Sequence, residues 1–309
     1  LPDVLDALAD VEMHAIQTSG NCIRNVTSGH LAGAAHDELE DPRPWCEIIR
    51  QWSTFHPEFS ALPRKFKIAV TAATPDRAAV KVHDIGLLMK RNAAGEAGFE
   101  VMVGGGLGRT PYIGLTIRDW VSKRDLLSYL EANMRVYNRY GRRDNKYKAR
   151  IKILVNELGE AEYRREVDEE FANQHAWEKV ALPQEEIERI TAYFAPPKFE
   201  NLPAKSDKLD KAIAADRTFA RWTKNNLRKH KIPGYISVHI ALKPQGVAPG
   251  DCSSAQMRAA ADIAEKYGLD DIRVAHEQDL VLPHVKLDDV TAVYAALKAS
   301  GLHASNAGM

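Results

Sequence analysis

The sequence predicts an α+β protein, on three observations. Short runs with apolar residues at alternate positions, as strands require, are interspersed with i, i+3, i+4, i+7 apolar stripes, as helices require. The chain has 309 residues, 45% of them hydrophobic, which is enough for two or three packed units rather than one. A stretch from about 173 to 230 thins into prolines and charges and separates an earlier group of elements from a later one.

In chain order, Val4, Leu8, Val11 and Ile16 give residues 4–16 a roughly helical spacing. Phe66–Thr71, Ala79–Val82 and Phe99–Val103 read as strands, the third followed by Gly104-Gly105-Gly106-Leu107-Gly108. Leu126, Leu130, Met134 and Tyr137 mark a helix. Ile151, Leu154, Val155 and Leu158 mark a second, ended by Gly159, and Tyr163, Val167 and Phe171 a third. Pro183, Pro196, Pro197 and Pro203 then punctuate a linker with a short helix.

The later group is more regular. Tyr235–Leu242 alternates, with Ile236, Val238, Ile240 and Leu242 on one face and Ser237 and His239 on the other. Gly250 and Asp251 turn the chain. Ser253 to Gln256 offers a capping box for a helix lined by Met257, Ala261 and Ala264 and ended by Gly268. Ile272–Ala275 and Leu280–Leu282 are short strands around His276-Glu277-Gln278-Asp279. Val290, Val293, Tyr294 and Leu297 form a last helical stripe, closed by Gly301. Strand, helix, strand pair, helix is a half-domain of ferredoxin-like type.

The two ends of the chain resemble each other. At an offset of 289 residues, Val4, Ala7, Leu8, His14 and Ala15 match Val293, Ala296, Leu297, His303 and Ala304, which suggests an internal duplication. The chain also opens on Leu1-Pro2-Asp3 directly into a helical pattern and reads as if cut from something longer. The expected organisation is therefore a remnant of a first half-domain (1–16), a central unit (17–172), a linker (173–230) and a second half-domain (231–309).

Lys+Arg and Asp+Glu both total 42, so any anion must be held by a local cluster rather than by the field of the whole chain. No apolar run approaches the ~18 residues of a membrane span and no signal peptide opens the sequence, so the expected setting is cytoplasmic, with neither membrane nor nucleic acid as partner. Cys22, Cys46 and Cys252 lie far apart with no CxxC pair, which argues against a disulfide framework or a metal site built from them. The histidines show no metal spacing such as HExxH; for His14, His83, His276 and His303 a structural role is the default, and no metal ligand is assigned.

Four segments carry candidate chemistry. In Leu62-Pro63-Arg64-Lys65-Phe66-Lys67-Ile68-Ala69-Val70, strand alternation sends Phe66, Ile68 and Val70 to a core and Lys65 and Lys67 to the other face. Those two ammonium groups stand roughly 7 Å apart and repel unless an anion sits between them; an edge strand guarded by lysines is the other reading. Arg142, Arg143, Lys146, Lys148, Arg150 and Lys152 crowd the approach to a helix and its first turn, where the helix dipole disfavours cations unless a bound anion compensates. A solvated basic face and a nucleic-acid patch are the alternatives. Gly104–Gly108 fails the GxGxxG template, since the third glycine would fall on Arg109, yet it permits close backbone approach to a flat ligand as well as a simple tight turn. Arg24, among small polar residues after a helix, could fork onto an oxyanion or lie on the surface.

Taken in order, Gln17-Thr18-Ser19-Gly20-Asn21 with Arg24-Asn25-Val26, then Leu62-Pro63-Arg64-Lys65-Phe66-Lys67, then Gly104–Gly108 resemble successive landmarks of the sirohaem-dependent sulfite/nitrite reductase family. His276-Glu277-Gln278-Asp279-Leu280 is similar to the matching loop of that family's second ferredoxin-like half, with Asp279 where asparagine is common. The resemblance runs over nearly the whole chain. It implies a sirohaem-binding α/β unit plus a ferredoxin-like half-domain of a duplicated reductase. It also implies a sirohaem coupled to a [4Fe-4S] cluster, an electron donor (ferredoxin or flavoprotein), and six-electron reduction of sulfite to sulfide in an assimilatory-type haemoprotein. Nitrite reduction to ammonia is the alternative within the family, and a non-catalytic tetrapyrrole- or oxyanion-binding paralogue a further one.

On this resemblance Arg24, Lys65 and Lys67 match the residues that grip the oxyanion and help deliver protons. Asn25, Arg64, Gly104, Gly105, Gly106 and Gln278 match cofactor contacts, and Arg142, Arg143, Lys146, Lys148, Arg150 and Lys152 would neutralise sirohaem carboxylates. Lysine at position 67, where plant-type nitrite reductases tend to carry asparagine, favours sulfite, a dianion near neutrality. The family's cluster cysteines, in CxxxxxC and CxxxC pairs, are not in this sequence and are expected beyond Met309. The first ferredoxin-like half is expected before Leu1, which makes the chain a central fragment unable to ligate the cluster by itself.

Overall fold

Two sheets, each with its own helices, organise a computed structural model of the chain that describes residues 1–177 and 182–308, with backbone alone for 175–177. One unit comprises Leu1–Ser28 and Pro42–Phe194; the other comprises Gly29–Asp41 and Ala195–Met309. This division differs from the boundaries drawn from the sequence, because an excursion of the chain at Gly29–Asp41 leaves the first unit and joins the second.

The first unit holds a five-stranded sheet in the order β1-β2-β3-β4-β5: β1 Ile23–Ser28, β2 Phe66–Thr71, β3 Ile85–Arg91, β4 Ala97–Val103 and β5 Leu115–Ser122. The first three strands run parallel and the last two are added antiparallel. Helices α1 Pro2–Ala9, α2 Arg43–Ser53, α3 Leu126–Tyr140, α4 Ile151–Leu158, α5 Glu160–Trp177 and α6 Gln184–Tyr193 belong to the same unit. In β2 Phe66, Ile68 and Val70 are fully buried and Lys67 is exposed, as expected, but Ala69 and Thr71 on the lysine face are buried as well. α4 ends where Gly159 enters the positive-φ region at 82°, as its sequence signal requires.

Three expectations for this region change. Ala79–Val82 is not a strand: Ala79 is left-handed (φ 54°), and the Asp76 carboxylate accepts the amides of Val80 and Lys81 at 2.9 and 3.3 Å, winding Val80–Val82 into a 3₁₀ turn. Local capping outcompetes the β-branched character of the valines. The helix expected over 4–16 stops at Ala9, and none of its residues is buried. Of the stretch expected as a linker with a short helix, residues 178–181 lie outside the described part. The rest carries the end of α5, α6 and two more helices, α7 Asp207–Ala215 and α8 Arg217–Asn226. Ser206 and Asp216 cap these two by accepting the Leu209 and the Thr218 and Phe219 amides.

In the second unit four strands run in the order β6-β7-β9-β8: β6 Leu227–Lys229, β7 Tyr235–Ala241, β8 Arg273–Ala275 and β9 Asp279–Lys286. Helices α9 Ser254–Tyr267 and α10 Val290–Ala299 complete the half-domain pattern, and the capping box of Ser253 and Gln256 is formed. Val238, Ile240, Leu282, Ile263, Val293 and Leu297 meet in the core beside Phe219 and Trp222. The buried face of α9 is Ala260, Ile263 and Ala264; of the expected line Met257, Ala261 and Ala264 only the last lies on it, and the first two are exposed. β7 is buried on both faces: Ser237 and His239, on the face opposite Val238 and Ile240 as expected, are covered as fully as those two. The excursion explains this, since its Leu31 and Ala35 pack on Ala275 and Val281.

A histidine pair in this unit ties stability to pH. The Ile232 amide donates to His230 Nδ1 at 2.9 Å, so His230 Nε2 carries the proton that bonds His284 Nδ1 at 2.9 Å. Burial, then the neighbouring His284, depresses His230 from 6.5 to about 4. A depressed histidine contributes stability that is present above its unfolded value and is lost as pH falls. Urea melts should therefore weaken between pH 6.5 and about 4, and a His230→Asn variant should flatten that part of the profile.

Candidate functional site

The parallel pair β1–β2 brings the first two candidate segments together. The Leu62 amide donates to the Asn21 carbonyl at 2.8 Å and the Phe66 amide to the Cys22 carbonyl at 3.0 Å, so the segment before β2 lies against the entry to β1. Within the ladder Ile23 pairs with Phe66 and Asn25 with Lys67; the register slips between them, and Arg24 has no counterpart on β2. Such a slip re-aims the extra side chain. Arg24 Nε is steadied by the Gly20 carbonyl at 2.9 Å. Lys65 is half-buried. Its proton affinity is held below that of an ordinary lysine by desolvation, and then by the charges of Arg24, Lys67, Arg150 and Arg64. Cations from three separated segments thus share one neighbourhood.

Asp84, which no motif marks in the sequence, joins these segments. Its carboxylate, 1% exposed, accepts Arg150 Nε and Nη2 at 2.8 and 2.6 Å and the Lys67 amide at 3.0 Å. Its carbonyl accepts the Gly104 amide at 3.0 Å. One residue thereby fixes the start of β2, the glycine run after β4 and the entry to α4. Burial raises the carboxyl above its ordinary range, opposed chiefly by the Arg150 guanidinium. Arg150 is therefore committed to a buried carboxylate, which compensates the cation at the N-terminus of α4 where a ligand anion had been expected to do so.

The glycine run is held in the same way. Lys152, buried in the first turn of α4, donates from Nζ to the carbonyls of Leu107 and Thr110 at 2.9 and 2.5 Å. Its proton affinity is lowered by desolvation and then by Arg150. Gly104, Gly105 and Gly106 are buried, and a Cβ would meet the Val155 side chain at Gly104, backbone at Gly105 and the Lys152 side chain at Gly106. A Cβ on Gly105 would sit 2.6 Å from the carbonyl oxygens of both His83 and Lys81, while Gly104 is at φ 86°. Gly105→Ala should consequently destabilise the chain by about 1–3 kcal/mol, read as a lowered urea midpoint, because the obstruction is backbone that cannot rotate away.

The outer part of the basic segment is loop. Arg142 pairs with Asp144 at 2.6 Å, Arg143 reaches the Ala61 carbonyl and Asn138 Oδ1, and Lys146 lies 5.3 Å from the centre of the Tyr147 ring. Arg143, Lys146 and Lys148 are exposed, as is Asn25 beside the register slip. Gln278 belongs to the second unit. It is exposed at the β8–β9 turn with a positive φ of 65°, a conformation uncommon outside glycine. The following Asp279 is buried and bonded to Lys243 Nζ at 2.9 Å and the Gly308 amide at 3.0 Å.

Comparison with known proteins accounts for both units. Residues 19–175 match the family described as nitrite and sulphite reductase 4Fe-4S domain, and residues 237–300 match the nitrite/sulfite reductase ferredoxin-like half domain. A ferredoxin-type sulfite reductase of Mycolicibacterium paratuberculosis is 27% identical over 306 residues, 98% of this chain and 47% of that protein. A chloroplastic ferredoxin–nitrite reductase of Arabidopsis thaliana is 23% identical over 303 residues, 95% of this chain and 45% of the relative. The solved structure of NirA from Mycobacterium tuberculosis shares the fold, with a TM-score of 0.73 at 24% identity over 97% of this chain and 48% of its own. The chain thus spans about half the length of the relatives it matches. With more than half of its residues inside the first family match alone, the chain belongs to the nitrite and sulphite reductase family.

Proposed function

We propose that this chain forms the anion-gripping part of a cytoplasmic sulfite reductase fed by ferredoxin or a flavoprotein. Arg24, Lys65 and Lys67 would hold the substrate oxyanion, and the loop from Arg142 to Lys148 would face sirohaem carboxylates. The observation that carries the reading is the gathering of Arg24, Arg64, Lys67 and Arg150 around the half-buried Lys65 ammonium group, Arg150 among them already paired with Asp84. Like charges brought together at that density cost free energy unless a polyanion meets them, which is the fit sirohaem and sulfite require. When bound, sirohaem would supply the iron at which electrons reach the oxyanion.

The roles of the protein groups follow from their surroundings. Arg24, charged at every working pH, would orient the oxyanion. Lys65, with its proton affinity already lowered, would be the readier of the two lysines to pass a proton to a developing oxygen charge. Arg150 and Lys152 would serve as positioning residues, since Asp84 and two loop carbonyls engage them. A [4Fe-4S] cluster does not fit the residues of this chain, because Cys22, Cys46 and Cys252 are three thiols divided between the two units.

Nitrite is the second reading, supported by the chloroplastic nitrite reductases among the relatives. The test of the site itself is common to both substrates. In the reductase that carries this chain, Arg24→Ala and Lys65→Ala should each lower kcat/KM by about 10²–10³-fold while sirohaem content, read by absorbance, is kept. Lys65→Ala should also shift the alkaline limb of the pH profile, since it removes that ammonium group. Full turnover in both variants would remove the assignment.

A further inference from the structure

Outside the cation cluster, the second unit contains a group of donors that the reductase reading leaves unused. His30 comes from the Gly29–Asp41 excursion, His239 from the middle of β7 and Glu277 from the β8–β9 turn. One donor atom of each lies within 4.8 Å of the others. The two imidazole rings meet edge to face, with centroids 5.0 Å apart. Both histidines are buried and Glu277 is half-buried.

His239 is the decisive member. It is 1% exposed, and neither ring nitrogen makes a hydrogen bond to protein in the described residues. A buried imidazole without partners costs free energy, and such a group ordinarily finds a hydrogen bond or a metal. Its Nδ1 faces the buried Asp279 carboxylate at 4.0 Å, and Asp279 is itself fixed by Lys243 and the Gly308 amide. Closing to hydrogen-bond distance, such a carboxylate would orient the other nitrogen of the ring toward a metal.

The scaffold around the group is firmly held. Leu31 and Ala35 of the excursion pack on Ala275 of β8 and Val281 of β9, Arg273 donates to the carbonyls of His30 and Ala32, and Val281 is the ladder partner of His239. Lys243 Nζ also grips the Glu277 carbonyl at 2.7 Å, anchoring the turn that presents the carboxylate.

We infer that His30, His239 and Glu277 form a binding site for a divalent first-row transition ion, Zn²⁺ by its donor set, clipping the excursion to the sheet. Two imidazoles and one carboxylate leave a fourth tetrahedral position for water. Bonds of about 2.0 Å place donors ~3.3 Å apart, which small rotations of the three side chains can reach. The ligands belong to three segments far apart in sequence, which is why no spacing motif announced them and no metal ligand was expected.

The test uses the chain after chelator treatment, titrated with Zn²⁺ by calorimetry and with Co²⁺ by visible absorption. The wild type should bind one equivalent, with a raised melting temperature in excess Zn²⁺. Glu277→Gln, a near-isosteric change on a turn, should fold normally and bind at least tenfold more weakly; His239→Asn should bind more weakly still. The Co²⁺ form should show bands of nitrogen and oxygen ligation without thiolate charge transfer. Absence of saturable one-to-one binding, unchanged affinity in Glu277→Gln, or a thiolate band pointing to Cys252 would each overturn the assignment.

Discussion

Replacing Asp84 with alanine should be among the most damaging single changes in the first unit, at about 3–5 kcal/mol, the usual effect of removing one partner of a buried charge pair. The substitution abandons three donors at once: the two Arg150 nitrogens at 2.8 and 2.6 Å and the Lys67 amide at 3.0 Å. It also leaves the Arg150 charge uncompensated beside Lys65 and Lys152, whose proton affinities it already lowers. Asp84→Asn keeps the shape and an acceptor but drops the charge, so it should fall between alanine and wild type. Urea melts at neutral pH check the order, with a lowered midpoint and an unchanged slope expected. A midpoint for Asp84→Ala equal to wild type would show that the three segments hold together without it.

Lys67→Asn should separate the two candidate substrates. Lys67 is exposed at the start of β2 and contributes its backbone, not its ammonium group, to the bond with Asp84, so the substitution leaves that junction in place. The lost ammonium interacts with a sulfite dianion about twice as strongly as with a nitrite monoanion at equal distance. We expect kcat/KM for sulfite to drop on the order of 10²-fold and that for nitrite by about tenfold or less, measured side by side in the reductase that carries this chain. Equal losses would remove the reason for preferring sulfite.

What the sequence disclosed and what it withheld follow from the range of the forces involved. β2, β4, α3, α4 and the capping box of α9 are written in local periodicity, and local rules find them. β3 escaped because Ile85-Gly86-Leu87-Leu88-Met89 is a nearly continuous apolar run. It sits between two neighbours in the middle of the sheet, so it shows no alternation to detect. β5 escaped for the opposite reason: it is an edge strand with only Ile117 and Val121 fully covered. The cations of the site stood out because like charges cluster along the chain. Asp84, between His83 and Ile85, carries no such mark, since its importance comes from burial and from partners 17 and 66 residues away. The role of His239 was not legible because the alternation of β7 cannot reveal that a loop from residue 30 covers its face.

The unmatched position in the β1–β2 ladder lets one residue be removed without breaking the pairing on either side. Deleting Arg24 would let Ile23 and Asn25 step evenly alongside Phe66 and Lys67, straightening the hydrogen-bond rungs instead of breaking them. A chain shortened in that way should refold willingly, with one guanidinium fewer beside Lys65.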